Sequence, residues 1–205
     1  MRFIWPSYVA LCHEKRVSID AAVIWYHSGD LWYCFYARPA RAQLKNENLL
    51  VAMPDGYIVG FQDKNAKQQM TEMVPRGQSV KDWTDMVTVQ IFFRMTDVTP
   101  EAYKQRLEKL WAENCKGAQS NPVGQGNERG LPVTVWIAFC PLNKETGKLE
   151  LTMLKAIGGK DSFYLVQKAF RFKPDKAQIE QWSRYLRGVS VCDSRVPERA
   201  CPQTK

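Results

Sequence analysis

Histidine is almost missing from this chain. It has two, His13 and His27, and none after residue 43. A Ser-His-Asp or Cys-His nucleophile therefore cannot be assembled from residues 44–205. Histidine-based metal centres are excluded with it. There is no CxxC pair, and none of the four later cysteines has a histidine nearby, which argues against a structural zinc site. No run of 18 apolar residues exists, so no transmembrane helix is expected in the mature chain. Internal repeats and low-complexity runs are lacking too. No cofactor and no metal are expected.

What is present is ordinary globular material. Hydrophobic residues make up 45% of the chain and charged residues 24%, enough for a buried core. The formal charge is +8. That fits a solvated basic surface or an anionic partner such as a membrane surface or envelope polymer. Nucleic acid is not expected, because base-stacking aromatics are not interleaved with the basic residues. Cys115, Cys140, Cys192 and Cys201 form an even set of later cysteines, which reads as two disulfides and an oxidising, periplasmic or extracellular compartment. Cys192 and Cys201 would staple the C-terminal tail to itself, and Cys115 with Cys140 would tie a helix end to a strand. The crossed pairings stay open at this level.

Residues 1–43 differ from the rest. They are rich in Trp, Tyr and Cys and show no clean period. Ala40-Arg-Ala42-Gln43 has the A-x-A form of a signal-peptidase site, with Lys15-Arg16 as a cationic start and Ala21–Ala37 as a crude apolar stretch. Gly29 and Asp30 interrupt that stretch. The segment is read as an export leader or a mis-assigned N-terminal extension, the other reading being an ordinary N-terminal element. Residues 44–205 are then one α+β domain with a disulfide-stapled tail.

Beyond residue 43 the pattern is clear. Leu49–Met53 and Tyr57–Gln62 flank Pro54-Asp55-Gly56, which predicts a hairpin. Ser79 with Asp82 three residues on resembles a capping box for a short helical turn. That turn would seat Trp83 and Met86 in the core and launch the alternating strand Val87–Phe93. Thr99-Pro100-Glu101 opens a helix to Cys115, with Tyr103, Leu107, Leu110 and Trp111 as its apolar face. Gly117–Leu131 reads as a mobile loop and a candidate binding lid through Gly124, Gly126, Arg129 and Gly130. Its glycine spacing fits neither the dinucleotide fingerprint nor the P-loop, and it follows a helix rather than a strand. Val133–Pro141, Leu149–Ile157 and Phe163–Phe172 are strands of an antiparallel meander. Asp175–Arg187 is the closing helix, buried through Ile179, Trp182 and Leu186. Asp82 and Asp85 would share one face of the short turn, where capping and solvation account for them. No catalytic residue is assigned.

Two segments carry a resemblance. Pro75-Arg-Gly-Gln-Ser-Val-Lys-Asp-Trp-Thr-Asp-Met-Val-Thr-Val-Gln90 and Lys160-Asp-Ser-Phe-Tyr-Leu-Val-Gln-Lys-Ala-Phe170 resemble motifs of uncharacterised exported proteins of Gram-negative bacteria. The resemblance spans about Leu44–Cys201 and implies export without implying an activity. The order of elements is also similar to the PsbP-like α/β/α architecture. The expected fold is α+β, an antiparallel sheet of six or seven strands packed against two main helices. The expected function is that of a periplasmic or secreted accessory domain without catalysis. Its partner would be an envelope protein or an anionic surface. The alternatives are a histidine-independent enzyme using carboxylates or a Ser/Lys pair, and a carrier of a small apolar ligand.

Overall fold

The computed structural model describes residues 44–202. The leader reading of 1–43 therefore falls outside the described residues. In chain order the elements are β1 (Glu47–Leu50), β2 (Tyr57–Lys64), β3 (Gln68–Pro75), β4 (Asp85–Phe93), α1 (Pro100–Asn114), β5 (Gln119–Glu128), β6 (Leu131–Cys140), β7 (Glu150–Gly158), β8 (Ser162–Phe170), α2 (Lys176–Gly188) and β9 (Ser190–Asp193). Seven strands make one sheet in the order β2-β3-β4-β8-β7-β6-β5. Every neighbouring pair is antiparallel. Two meanders, β2-β3-β4 and β5-β6-β7-β8, are joined where β4 meets β8, and α1 carries the chain between them.

Strand alternation sends side chains to two faces, and each face finds a helix. On one face Met73, Val87, Met153, Val166 and Phe170 bury against Trp182 and Leu186 of α2. On the other, Trp136, Leu154 and Phe163 meet Tyr103, Leu107 and Trp111 of α1. The result is an α+β sandwich with the sheet between two helices. Both helices start where their caps dictate. The Thr99 hydroxyl accepts from the Ala102 amide at 3.2 Å ahead of Pro100. Asp175 accepts from the Gln178 amide at 2.7 Å, while Gln178 accepts from the Asp175 amide at 3.0 Å. Disulfides join Cys115 to Cys140 and Cys192 to Cys201. The first fastens the end of α1 to the end of β6, and the second closes the tail on β9.

Four local expectations need correction. Pro54–Gly56 does make a tight turn, the Tyr57 amide donating to the Pro54 carbonyl at 3.1 Å. It does not, however, join paired strands. β1 pairs with β9 instead, Glu47 opposite Asp193. The Glu47 carboxylate holds β1 in place by accepting from the amides of Lys160, Asp161 and Ser162 and from the Tyr164 hydroxyl. That carboxylate crowds the turn between β7 and β8, where a Cβ at Gly159 would strike it and the Ser162 carbonyl.

Ser79 and Asp82 do not start a helix. They form an isolated bridge, each amide donating to the other's carbonyl at 3.2 and 3.1 Å. Gly117–Leu131 is not a loop. Most of it is β5, the exposed outer strand of the sheet, bulged between Pro122 and Gly124. Its polar, glycine-rich sequence shows no alternation because neither side chain row meets a core, while the strongly patterned β6 supplies the pairing. Leu110 lies outside the apolar face of α1 at 44% exposure. Lys104 is buried instead, between Glu101 and Glu108 at 3.5 and 2.9 Å.

Candidate functional site

The β5–β6 hairpin turns through Arg129 and Gly130. Both have positive φ, 50° and 78°. A two-residue hairpin needs that conformation at both positions, and Gly130 adopts it without steric cost. Of the four candidate binding-loop residues, Arg129 alone lines a cleft; Gly130 completes the turn beside it, and Gly124 and Gly126 lie back along β5 in open space. The cleft has a volume of about 380 Å³. Glu128, Arg129 and Leu131 of the hairpin form one wall. Arg187, Gly188, Ser190 and Val191, where α2 gives way to β9, form the other, and Ile157 completes the lining.

Lys155 sets the charge of this cleft. It stands on β7 opposite Val135, on the face that carries α2. Its side chain is 1% exposed. The ammonium donates to Glu128 at 2.7 Å and to the Val189 carbonyl at 2.8 Å. Glu128 is 46% exposed, so its carboxylate faces the cleft while its charge is matched from below.

A second buried lysine lies one strand away. Lys168 on β8 pairs with Met153 in register and has no solvent exposure. It donates to the Asp85 carboxylate and to the Tyr57 hydroxyl, the latter at 2.6 Å, and Tyr57 donates to Asp85 in turn. Three rings close around the ammonium: Trp182 with its centroid at 3.8 Å, Phe170 at 4.8 Å and Tyr57 at 4.9 Å. Burial pulls the Lys168 pKa down to about 8, against the opposing pull of Asp85. Burial and the Asp85 carboxylate push the Tyr57 phenol far above its ordinary range. The cluster has the composition of a reactive centre, but its ammonium lies beneath α2 with no solvent exposure, while Asp85 is 16% exposed.

The remaining predicted residues serve the framework. Trp83 and Met86 bury with Val74, and the Arg171 guanidinium stacks 3.7 Å over the Trp83 ring. The Ser79 hydroxyl accepts from the Asp82 amide at 3.3 Å. Asp82 and Asp85 are separated, Asp82 in the bridge and Asp85 at the start of β4 against Lys168. Neither buried lysine figures among the sequence candidates. The signal was a lysine inside an inward-facing row: Val166-x-Lys168-x-Phe170 on β8 and Met153-x-Lys155-x-Ile157 on β7.

A smaller pocket of about 110 Å³ lies under α1, lined by Leu107, Glu108, Trp111 and Trp136 among others. No cluster of metal-ligating side chains occurs among the described residues. No described helix is long and apolar enough to cross a membrane.

No family model matches the sequence, and no curated protein matches it either. The chain is similar in structure to the Ran-binding protein Mog1p of Saccharomyces cerevisiae. The two are 14% identical with a TM-score of 0.40, over 70% of this chain and 85% of that one. It is also similar to cyanobacterial PsbP (CyanoP) of Synechocystis. The identity there is 11% and the TM-score 0.43, over 73% of this chain and 94% of that one.

Proposed function

We propose that this chain is a non-catalytic binding domain of an extracytoplasmic compartment, periplasmic or secreted, which works by contact with another envelope component through the Arg129 cleft. The observation that carries this reading is the division of charged groups. The polar cluster with a shifted pKa is closed to solvent at Lys168, whereas the cleft between the Arg129 turn and Arg187 is open and basic at its rim. An enzyme needs its reactive group within reach of substrate. A carrier of an apolar ligand needs an enclosed pocket of a few hundred Å³, and the pocket beside Trp136 is about 110 Å³. The Cys115–Cys140 and Cys192–Cys201 bonds favour the oxidising compartment. The resemblance to exported Gram-negative proteins points the same way.

Two measurements test it. Protein recovered from its native host is alkylated without reduction and analysed by mass spectrometry. All four cysteines are expected to be protected and the 1–43 segment removed; free thiols with an intact N-terminus would refute the compartment. A photo-crosslinker at Arg129 is expected to give a discrete adduct in envelope fractions that one at Lys176 does not give. No adduct, or equal adducts from both, would refute the contact.

A further inference from the structure

We infer that the Arg129 cleft is a binding site for a small phosphoryl-bearing anion, gripped by the guanidinium groups of Arg129 and Arg187. The inference rests on the reading of this cleft as the contact site and adds the chemistry of what enters it.

The balance of charge points to an anion. One negative group lines the cleft, the Glu128 carboxylate. A second is buried nearby, the Val189 carbonyl just beyond the last turn of α2, where the helix dipole is negative. Each would repel an anion. Lys155 donates to both, at 2.7 and 2.8 Å, so one buried ammonium offsets the two together. Arg129 and Arg187 both line the cleft and are exposed, and among the described residues neither forms an ion pair. The rim therefore carries two uncompensated guanidinium groups. Arg199 adds to this field. It is buried with no partner for its Nε, its nearest carboxylate is Asp193 at 3.7 Å, and a terminal nitrogen lies 4.0 Å from where a Gly130 Cβ would stand.

Guanidinium forks match the oxygens of phosphate in paired hydrogen bonds. The half-buried Ser190 on the facing wall supplies a hydroxyl. A volume of about 380 Å³ corresponds to about a dozen water molecules at their liquid volume. That admits a diphosphate or a phosphorylated headgroup. The apolar lining residues Leu131, Ile157 and Val191 are almost wholly buried and offer little surface to a greasy ligand. The mechanism is not that of a phosphate-binding loop: Gly124 and Gly126 are remote, and side chains rather than backbone amides make the grip.

The test is titration calorimetry of the full chain with inorganic pyrophosphate at low ionic strength. A second arm is cosedimentation with phosphatidylcholine vesicles with and without phosphatidic acid. The first arm detects a free phosphate and the second a lipid headgroup. Saturable binding in at least one arm is expected. Arg129→Gln and Arg187→Gln should each weaken it about tenfold, the loss of one charged hydrogen-bonding group. Glu128→Gln should tighten it, a gain that general damage to the fold would not produce. Lys176→Gln, on the exposed start of α2, should leave it unchanged. Binding in neither arm overturns the inference, as does binding indifferent to both arginine substitutions. A stronger response to citrate than to pyrophosphate overturns the phosphoryl assignment. If anion binding fails while the Arg129 crosslink persists, the ligand class is wrong and the contact site stands; if both fail, the site itself is wrong.

Discussion

Lys168 and Lys155 stand on neighbouring strands and the same sheet face, both with almost no solvent exposure, yet their settings are opposite. Lys168 is enclosed by Tyr57, Phe170 and Trp182 and matched by Asp85, whose own side chain is only 16% exposed. Lys155 reaches out from under α2 to a carboxylate at the surface and a carbonyl at the end of the helix. Desolvation of a charge costs several kcal/mol, so each lysine must be matched. The partner's exposure then decides the role. A sealed pair fixes how α2 docks, because the Trp182 ring covers the ammonium. A pair that opens to solvent sets the potential of a cleft.

The largest expected effect comes from breaking the sealed pair. Asp85→Ala leaves a buried ammonium without its counter-charge and should cost about 3–5 kcal/mol in urea denaturation. Lys168→Met, which fills the space with an apolar chain, should cost less than Asp85→Ala; if it costs more, the cluster is not held by charge matching. Next is the Cys115–Cys140 bond. Replacing both cysteines by serine should remove about 3 kcal/mol on the chain-entropy account, read from the same urea transition. Loss of less than a third of that would mean that the sheet alone holds the end of α1.

The pH dependence of stability separates the two lysines more finely. Folding lowers the Lys168 pKa from 10.5 to about 8. The unfolded chain therefore holds that proton more tightly, unfolding takes up a proton between those values, and stability rises with pH through the window. The expected gain from pH 7.5 to 9.5 is about 1–2 kcal/mol. Burial also raises the phenols of Tyr57 and Tyr164, and carries Tyr185 to about 12. Unfolding then releases protons above the ordinary phenol range, so stability should fall again beyond about pH 10. Chemical denaturation at half-unit intervals checks this, and Lys168→Met should abolish the rise. A rise that survives in that variant would place the proton elsewhere.

The smallest effects belong to the cleft. Glu128→Ala should cost about 1 kcal/mol, because Lys155 keeps the Val189 carbonyl and solvent is near. Arg129→Gln and Arg187→Gln should shift stability by less than about 0.5 kcal/mol. A large loss in either arginine variant would make that rim part of the framework and erase the contrast with Lys168.

Much of the framework was readable from local pattern. Thr99-Pro100 and Asp175 mark the helix starts that the structure uses. The apolar run Val133–Cys140 marks β6, whose two side-chain rows both meet a core, Val133 on the α2 side and Trp136 and Ala138 on the α1 side. β5 was not readable. Its side chains are almost all exposed, so burial imposes no period on its sequence, and its extended form comes from pairing with β6. The pairing of β1 with β9 was hidden for another reason. Pro54-Asp55-Gly56 reads as a hairpin turn, but the carboxylate that captures the 160–162 amides belongs to Glu47, and nothing near Glu47 in the chain announces that use. At the candidate site, Arg129 and Gly130 were picked out as part of a flexible loop; their actual place is a tight turn. Arg187, Ser190 and Lys155 join them only because α2 ends against β7.

The sequence by itself determined what is excluded and what is local. With no histidine beyond residue 43, triad chemistry is ruled out for residues 44–205. Helix caps and two-residue alternation act over a few neighbouring positions, so they fix elements wherever one face is buried. Only the tertiary structure decided that β4 lies beside β8, that β1 closes on β9, and that two lysines in inward rows become a sealed pair and a cleft's counter-charge. The cost of burying a charge depends on the groups brought against it from distant parts of the chain, and that juxtaposition exists only once the sheet and α2 are packed.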